Sequence, residues 1–282
     1  MSSPPNTFPD PIEGTPPVLN SESYAGPVEI LTAPPPKPFP AWSGWDVLAV
    51  FGFSLLIVFL FMTVAIVVTF FVHGNGGSPM SDIKAYIPVA IAAQAASYPV
   101  ILLFIFFLVR SRANAPFGTS ISWNWPRMTA PLYVIGGFAL AFAVDRLARF
   151  LPMPKSLPLD EYFTDATSAY LMAGLGVVLA PLMEEILFRG LLYPVLRRWA
   201  GVVISVLLTA LAFASIHLSQ LGYAWGPALS IFIVGVVFTV VRERTHSLAA
   251  SFLTHWGYNL ALFGAIWFSS DHFRHLEKIT GQ

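Results

Sequence analysis

Apolar residues in this chain come in long unbroken runs, without the spacing of a surface helix that is polar on one side. Eight runs can be marked, at about 47–72, 86–109, 129–150, 168–182, 184–199, 201–217, 225–241 and 247–268, with short polar, proline- or glycine-bearing stretches between most of them. About twenty apolar residues in a helix match the ~30 Å hydrocarbon layer of a bilayer. Backbone N–H and C=O groups at that depth must be satisfied inside the segment, so helices are expected. The predicted fold is all-α, a polytopic membrane helix bundle of about eight transmembrane helices. Asp46 opens the first run, and Trp42 and Trp45 just before it fit an interfacial aromatic belt. Pro88 and Pro99 inside the second run predict kinks, not breaks.

Three regions follow from the same pattern. Residues 1–44 hold 12 of the 24 prolines and cannot bury a core, so a disordered or polyproline tail is expected there. Residues 45–270 form the transmembrane helical domain, and 271–282 a short polar tail. Composition agrees: 56% of residues are hydrophobic and 11% charged, against roughly 25% charged in soluble domains. Fifteen basic and fifteen acidic residues cancel, so nucleic acid is not an expected partner. The absence of cysteine excludes disulfides, thiolate metal sites and a cysteine nucleophile. The chain is expected to be an integral, multi-pass membrane protein, in the cell membrane if prokaryotic, with the lipid bilayer as its first partner.

The informative residues are the polar ones inside the runs, because charge at that depth is costly and marks pairing or function. Among the acids only Glu184 and Glu185 lie well inside a run, and among the six histidines only His217 and His255 do. Glu185 and Arg189 are four apart and predict an internal, structural ion pair. Glu184 points about 100° away, free to face a cavity. His255 and Asn259 share a helix face, as do Phe213 and His217. Glu184, His217, His255 and Asn259 are then four polar groups from three helices that need a common partner. A water, a metal ion or a substrate carbonyl satisfies them. A carboxylate beside imidazoles in a poorly solvated site is suited to general-base chemistry, and an imidazole with an amide to an oxyanion.

For Glu184 and His217 to meet, Pro181 is expected to end the fourth helix so that a short fifth, about 184–199, crosses back. On that topology Lys37, Arg110, Arg112, Arg127, Arg274 and Lys278 fall on one face and Lys84, Arg146, Arg149, Lys155, Arg197, Arg198, Arg242 and Arg244 on the other, and six against eight does not set the orientation. Three functions fit these groups: a membrane-embedded hydrolase, a proton-coupled transporter, and a non-catalytic scaffold or immunity protein holding a peptide in the same cavity.

Three motifs separate these readings. Glu184-Glu185-Ile186-Leu187-Phe188-Arg189 has the form EExxxR, Phe213-Ala214-Ser215-Ile216-His217 the form FxxxH, and His255-Trp256-Gly257-Tyr258-Asn259 the form HxxxN. In this order, over about 165–268, the chain resembles the CPBP intramembrane proteases. That group includes the CAAX prenyl endopeptidases and Abi-like bacteriocin-processing or self-immunity proteins. The resemblance implies an eight-helix fold that hydrolyses a peptide bond in a membrane-associated or prenylated peptide. Glu184 would activate water with His217, while His255 and Asn259 would stabilise the oxyanion. The family is described both as metalloprotease and as glutamate-dependent protease. Under the metal reading, Glu184, His217 and His255 would hold zinc with one position open.

Overall fold

The architecture is known from a computed structural model that describes residues 39–73, 79–163 and 165–276. The regular structure there is entirely helical. The proline-rich tail lies outside the described residues as far as residue 38, and so do residues 277–282 of the C-terminal tail. In chain order the helices are α1 (Gly44–His73), α2 (Pro79–Arg112), a single turn α3 (Phe117–Ser120) and α4 (Ala130–Ala148). A continuous helical path follows from Ala166 to Ser215. The bundle ends with α8 (Trp225–Thr245) and α9 (Leu248–Ser269).

Among the described residues five stretches are long and apolar enough to cross a membrane: Gly44–Val72, Tyr86–Arg112, Ala130–Ala148, Ala166–Ser215 and Trp225–Thr245. This is consistent with a multi-pass membrane protein. Their outer surfaces agree with it, since Leu55, Phe59 and Phe71 of α1 are 70% exposed or more, a placement that suits lipid and not water. Trp42 just before α1, with Val47 and Val50 on its inner side, packs with Ile101, Ile105 and Val109 of α2 against Met183, Ile186 and Leu191. The Trp42 indole also donates to the Leu191 carbonyl at 3.1 Å.

The path from Ala166 to Ser215 determines where the functional groups lie. It runs as α5 (Ala166–Gly174), a π-helical segment (Leu175–Leu179), α6 (Ala180–Glu184), a second π segment (Glu185–Leu192) and α7 (Tyr193–Ser215). The break expected at Pro181 is absent, and its neighbours keep right-handed helical dihedrals. The π turn just before it supplies the reason. In the i→i−5 register the carbonyl that faces residue 181 is that of Gly176, and proline has no N–H to offer it. The widened turn accommodates the ring, and the free Gly176 carbonyl accepts a 2.7 Å hydrogen bond from the Asn259 amide instead.

The reversal comes at Gly201, whose φ of 73° and ψ of −179° lie in a region open almost only to glycine. The helical arms on either side fold back as a hairpin. Arg189 and Phe213 each stand twelve residues from Gly201, and the Arg189 guanidinium carbon lies 4.4 Å from the Phe213 ring centre. By the same symmetry Glu184 precedes Gly201 by seventeen residues and His217 follows it by sixteen. Both therefore sit about 25 Å along their arms from the pivot. Glu184 and His217 meet without a helix break at Pro181 between them.

The pivot also redistributes charge. Arg197 and Arg198 just before it, and Arg242 and Arg244 at the end of α8, stand on the same face as Arg112. The contacts that fix this are Arg198 to the Pro40 carbonyl, Arg112 to Asp46, and Arg197 to Glu243. The expected topology put those four arginines on the opposite face from Arg112.

Two glycines set the remaining close contact. A Cβ on Gly137 of α4 would lie 2.2 Å from the Thr254 carbonyl oxygen, and one on Gly257 of α9 would lie 2.3 Å from that of Val134. The two helices thus touch backbone to backbone, which holds the His255–Asn259 face of α9 in register with the bundle.

Candidate active site

Glu185 and Arg189 are both fully buried, and their oxygen and nitrogen are 3.0 Å apart. A buried ion pair is tolerated only when its remaining polar atoms are also bonded. Here they are. Arg189 Nε donates to the Thr239 hydroxyl at 3.1 Å and Nη2 to the Gly235 carbonyl at 2.9 Å, both on α8. The Phe213 and Phe238 rings flank its guanidinium. The other oxygen of Glu185 accepts from the Ser251 hydroxyl at 2.6 Å.

Glu185 does more than face Arg189. Its Oε1 is 3.0 Å from Nδ1 of His255. An ionised carboxylate only accepts, so Nδ1 carries the proton and Nε2 points away with its lone pair free. His255 is further fixed by stacking on Phe238, with ring centres 4.4 Å apart, and by the edge of Phe213. His217 is set by the same logic. Its Nδ1 lies 2.9 Å from the Phe213 carbonyl, which can only accept, so its Nε2 too presents a lone pair.

Both free nitrogens face Glu184. His217 Nε2 is 3.8 Å from Oε1, and His255 Nε2 is 3.6 Å from Oε2. These gaps exceed a direct hydrogen bond. Glu184 keeps 17% of its side-chain surface exposed and His217 19%, whereas His255 keeps 4%. The carboxylate and His217 thus border accessible space while His255 forms its inner wall.

The four residues expected to converge therefore do so unevenly. Glu184, His217 and His255 come together, each imidazole turned to a different oxygen of the carboxylate. Asn259 lies one turn beyond His255 on α9 and commits one amide N–H to Gly176, leaving a second N–H. Glu184, His217 and His255, the three possible zinc ligands, are the residues that meet here. Among the described residues no group of three His, Cys, Asp or Glu side chains is arranged to hold a metal ion.

Several contributing residues had no clear mark in the sequence. Ser251 precedes His255 by four residues and so shares its face, a spacing that could have marked it. Thr239, Gly235 and Phe238 come from a helix with no charged residue at that depth, and nothing in their pattern marks them.

Comparison with known proteins gives a partial match centred on these residues. The family model of the type II CAAX prenyl endopeptidase Rce1-like proteins matches residues 166–261. That interval begins with α5 and includes Glu184, Glu185, Arg189, His217, His255 and Asn259. A relative among curated proteins is the UPF0177 protein YbdI of Lactococcus lactis subsp. lactis (strain IL1403). It is 25% identical over 178 residues, covering 58% of this chain and 91% of that protein. No solved structure matches the chain. The partial family match and the buried glutamate–histidine network together are consistent with a protease.

Proposed function

We propose that the protein is an intramembrane endopeptidase that hydrolyses a peptide bond in a membrane-associated or prenylated peptide. The observation that carries this reading is the meeting of Glu184, His217 and His255 inside a helix bundle suited to lipid. Two imidazole lone pairs and a carboxylate face one another across gaps of 3.6–3.8 Å, too wide for direct bonds and suited to a bridging water.

In this reading Glu184 takes a proton from that water as its oxygen attacks the scissile carbonyl. His217, its ring held at Nδ1 by the Phe213 carbonyl, accepts the water's second hydrogen and orients its lone pair. His255 enters the cycle with a proton taken from solvent at Nε2 before substrate binds; that N–H donates to the oxyanion and stays on His255 when the intermediate collapses, while Glu185 at Nδ1 stabilises the imidazolium, the task a buried carboxylate performs behind a catalytic histidine. The uncommitted N–H of Asn259 is the second oxyanion donor. Glu184 then returns the proton to the leaving amine. Arg189 keeps Glu185 ionised and in place. The substrate follows from location: a peptide reaching a site walled by lipid-facing helices must itself partition into the membrane, by an apolar segment or an attached lipid.

The test is cleavage in proteoliposomes of farnesylated and unmodified C-terminal peptides by the wild-type protein and by Glu184→Ala. The reading expects cleavage by wild type alone, with the variant folded and inserted to the same extent. Equal cleavage by both would remove Glu184 from the chemistry and the reading with it.

A further inference from the structure

The face that carries the Gly201 pivot is strongly cationic. Among the described residues it gathers Arg110, Arg112, Arg127, Arg197, Arg198, Arg242 and Arg244 against Asp46 and Glu243. The opposite face mixes Arg146, Arg149, Lys155 and Arg274 with Asp145, Asp160, Glu161, Asp165 and Asp271. Trp45 and Trp199, 81% and 67% exposed, flank the cationic face at the level expected of lipid headgroups.

Within that face Arg242 is different from its neighbours. It is 4% exposed, and its Nε is buried with no hydrogen-bond partner among the described residues. The carboxylate of its chain neighbour Glu243 is bonded elsewhere: Oε2 accepts from the Tyr193 hydroxyl at 2.7 Å, and Oε1 from Arg197 Nε at 3.3 Å. A buried guanidinium N–H left without an acceptor is costly, more so one turn from a surface where burial was avoidable. Arg197, 44% exposed, and the exposed Arg244 stand beside it.

We propose that Arg242 and Arg197 form a seat for the phosphate of an anionic phospholipid, with Arg242 reaching the phosphate oxygens from below and Arg197 from the rim. The chemistry required is a compact anion with several acceptor oxygens, which a guanidinium fork matches. The place required is the headgroup layer, which the two tryptophans mark. The seat is separate from Glu184, since Arg197 stands thirteen residues away along the same helical path, so it does not depend on the protease reading.

Native mass spectrometry of the purified full chain with dioleoylphosphatidylglycerol, dioleoylphosphatidylcholine or inorganic phosphate tests this. Wild type should retain one phosphatidylglycerol in preference to phosphatidylcholine, and Arg242→Gln should weaken that binding about ten- to a hundredfold, the loss of one charge-assisted contact. Arg244→Gln should leave it nearly unchanged. Binding of inorganic phosphate as tight as that of the lipid would make this a free-anion site and overturn the lipid assignment. So would equal retention of both lipids, or equal binding by wild type and Arg242→Gln. A photoreactive phosphatidylglycerol gives an answer without any variant: label should concentrate on peptides containing Tyr193–Arg198 and Arg242–Thr245. Label spread equally over both faces would refute the seat.

Discussion

Replacing Arg189 with methionine tests how the candidate site is held together. The substitution roughly preserves volume, so cavity formation is a minor part of the effect. What it removes is the positive partner of a carboxylate with no exposed surface, and three donors at 2.9–3.1 Å. Glu185 would keep its bonds from Ser251 and His255 but would lose the charge that balances it. Breaking a buried pair from one side costs about 3–5 kcal/mol, so Arg189→Met should destabilise the bundle by about that amount. Adding Glu185→Gln removes the stranded charge, and the double variant should recover roughly 1–3 kcal/mol relative to the sum of the single losses. The assay is reversible unfolding in mixed micelles, followed by tryptophan fluorescence and circular dichroism, on all four members of the cycle. An Arg189→Met protein within about 1 kcal/mol of wild type, or single losses that simply add, would refute the claim that these two residues depend on one another.

Three further outcomes follow from the geometry. Gly201→Ala should destabilise by about 1–3 kcal/mol, because its φ of 73° is strained for alanine while no atom stands within 4 Å of the new Cβ; Gly52→Ala, equally open but within a regular helix, is the control that should not lose stability. Gly257→Leu should force α4 from α9 and lower both thermal stability and activity, since the first added carbon alone would meet the Val134 carbonyl oxygen at 2.3 Å; a normal melting profile would contradict the backbone contact. Ser251→Ala should reduce turnover more than stability, because it removes the 2.6 Å bond that fixes the carboxylate behind His255, and a turnover number equal to wild type would deny that Glu185 positions His255.

The chemistry was legible where polarity was out of place. Glu184, Glu185, Arg189, His217, His255 and Asn259 stand out because little else in their runs is polar, and the four-residue spacing from Glu185 to Arg189 states their contact directly. The bond from Glu185 to His255 was not legible, because seventy residues separate them and Arg189 already supplies Glu185 with a partner. The path of the chain was misread at one place for a physical reason. Proline ends a helix when its missing N–H strands a carbonyl, but at Pro181 a π turn moves that carbonyl to Gly176 and Asn259 bonds it. The true reversal at Gly201 is a single glycine between Ala200 and Val202 with no polar loop around it, so its dihedral angles are visible only in three dimensions. Once the pivot is moved there, four arginines change face, and the charge pattern along the sequence acquires a direction it lacked.

The central claim is that Glu184 drives peptide hydrolysis within the membrane. The most direct measurement compares the termini of membrane proteins from cells producing the wild-type protein with those from cells producing Glu184→Ala at equal abundance. The account predicts a defined set of new N- or C-termini in membrane-associated or lipidated proteins that is present with wild type and absent with the variant. Identical sets of termini in the two membranes would contradict it.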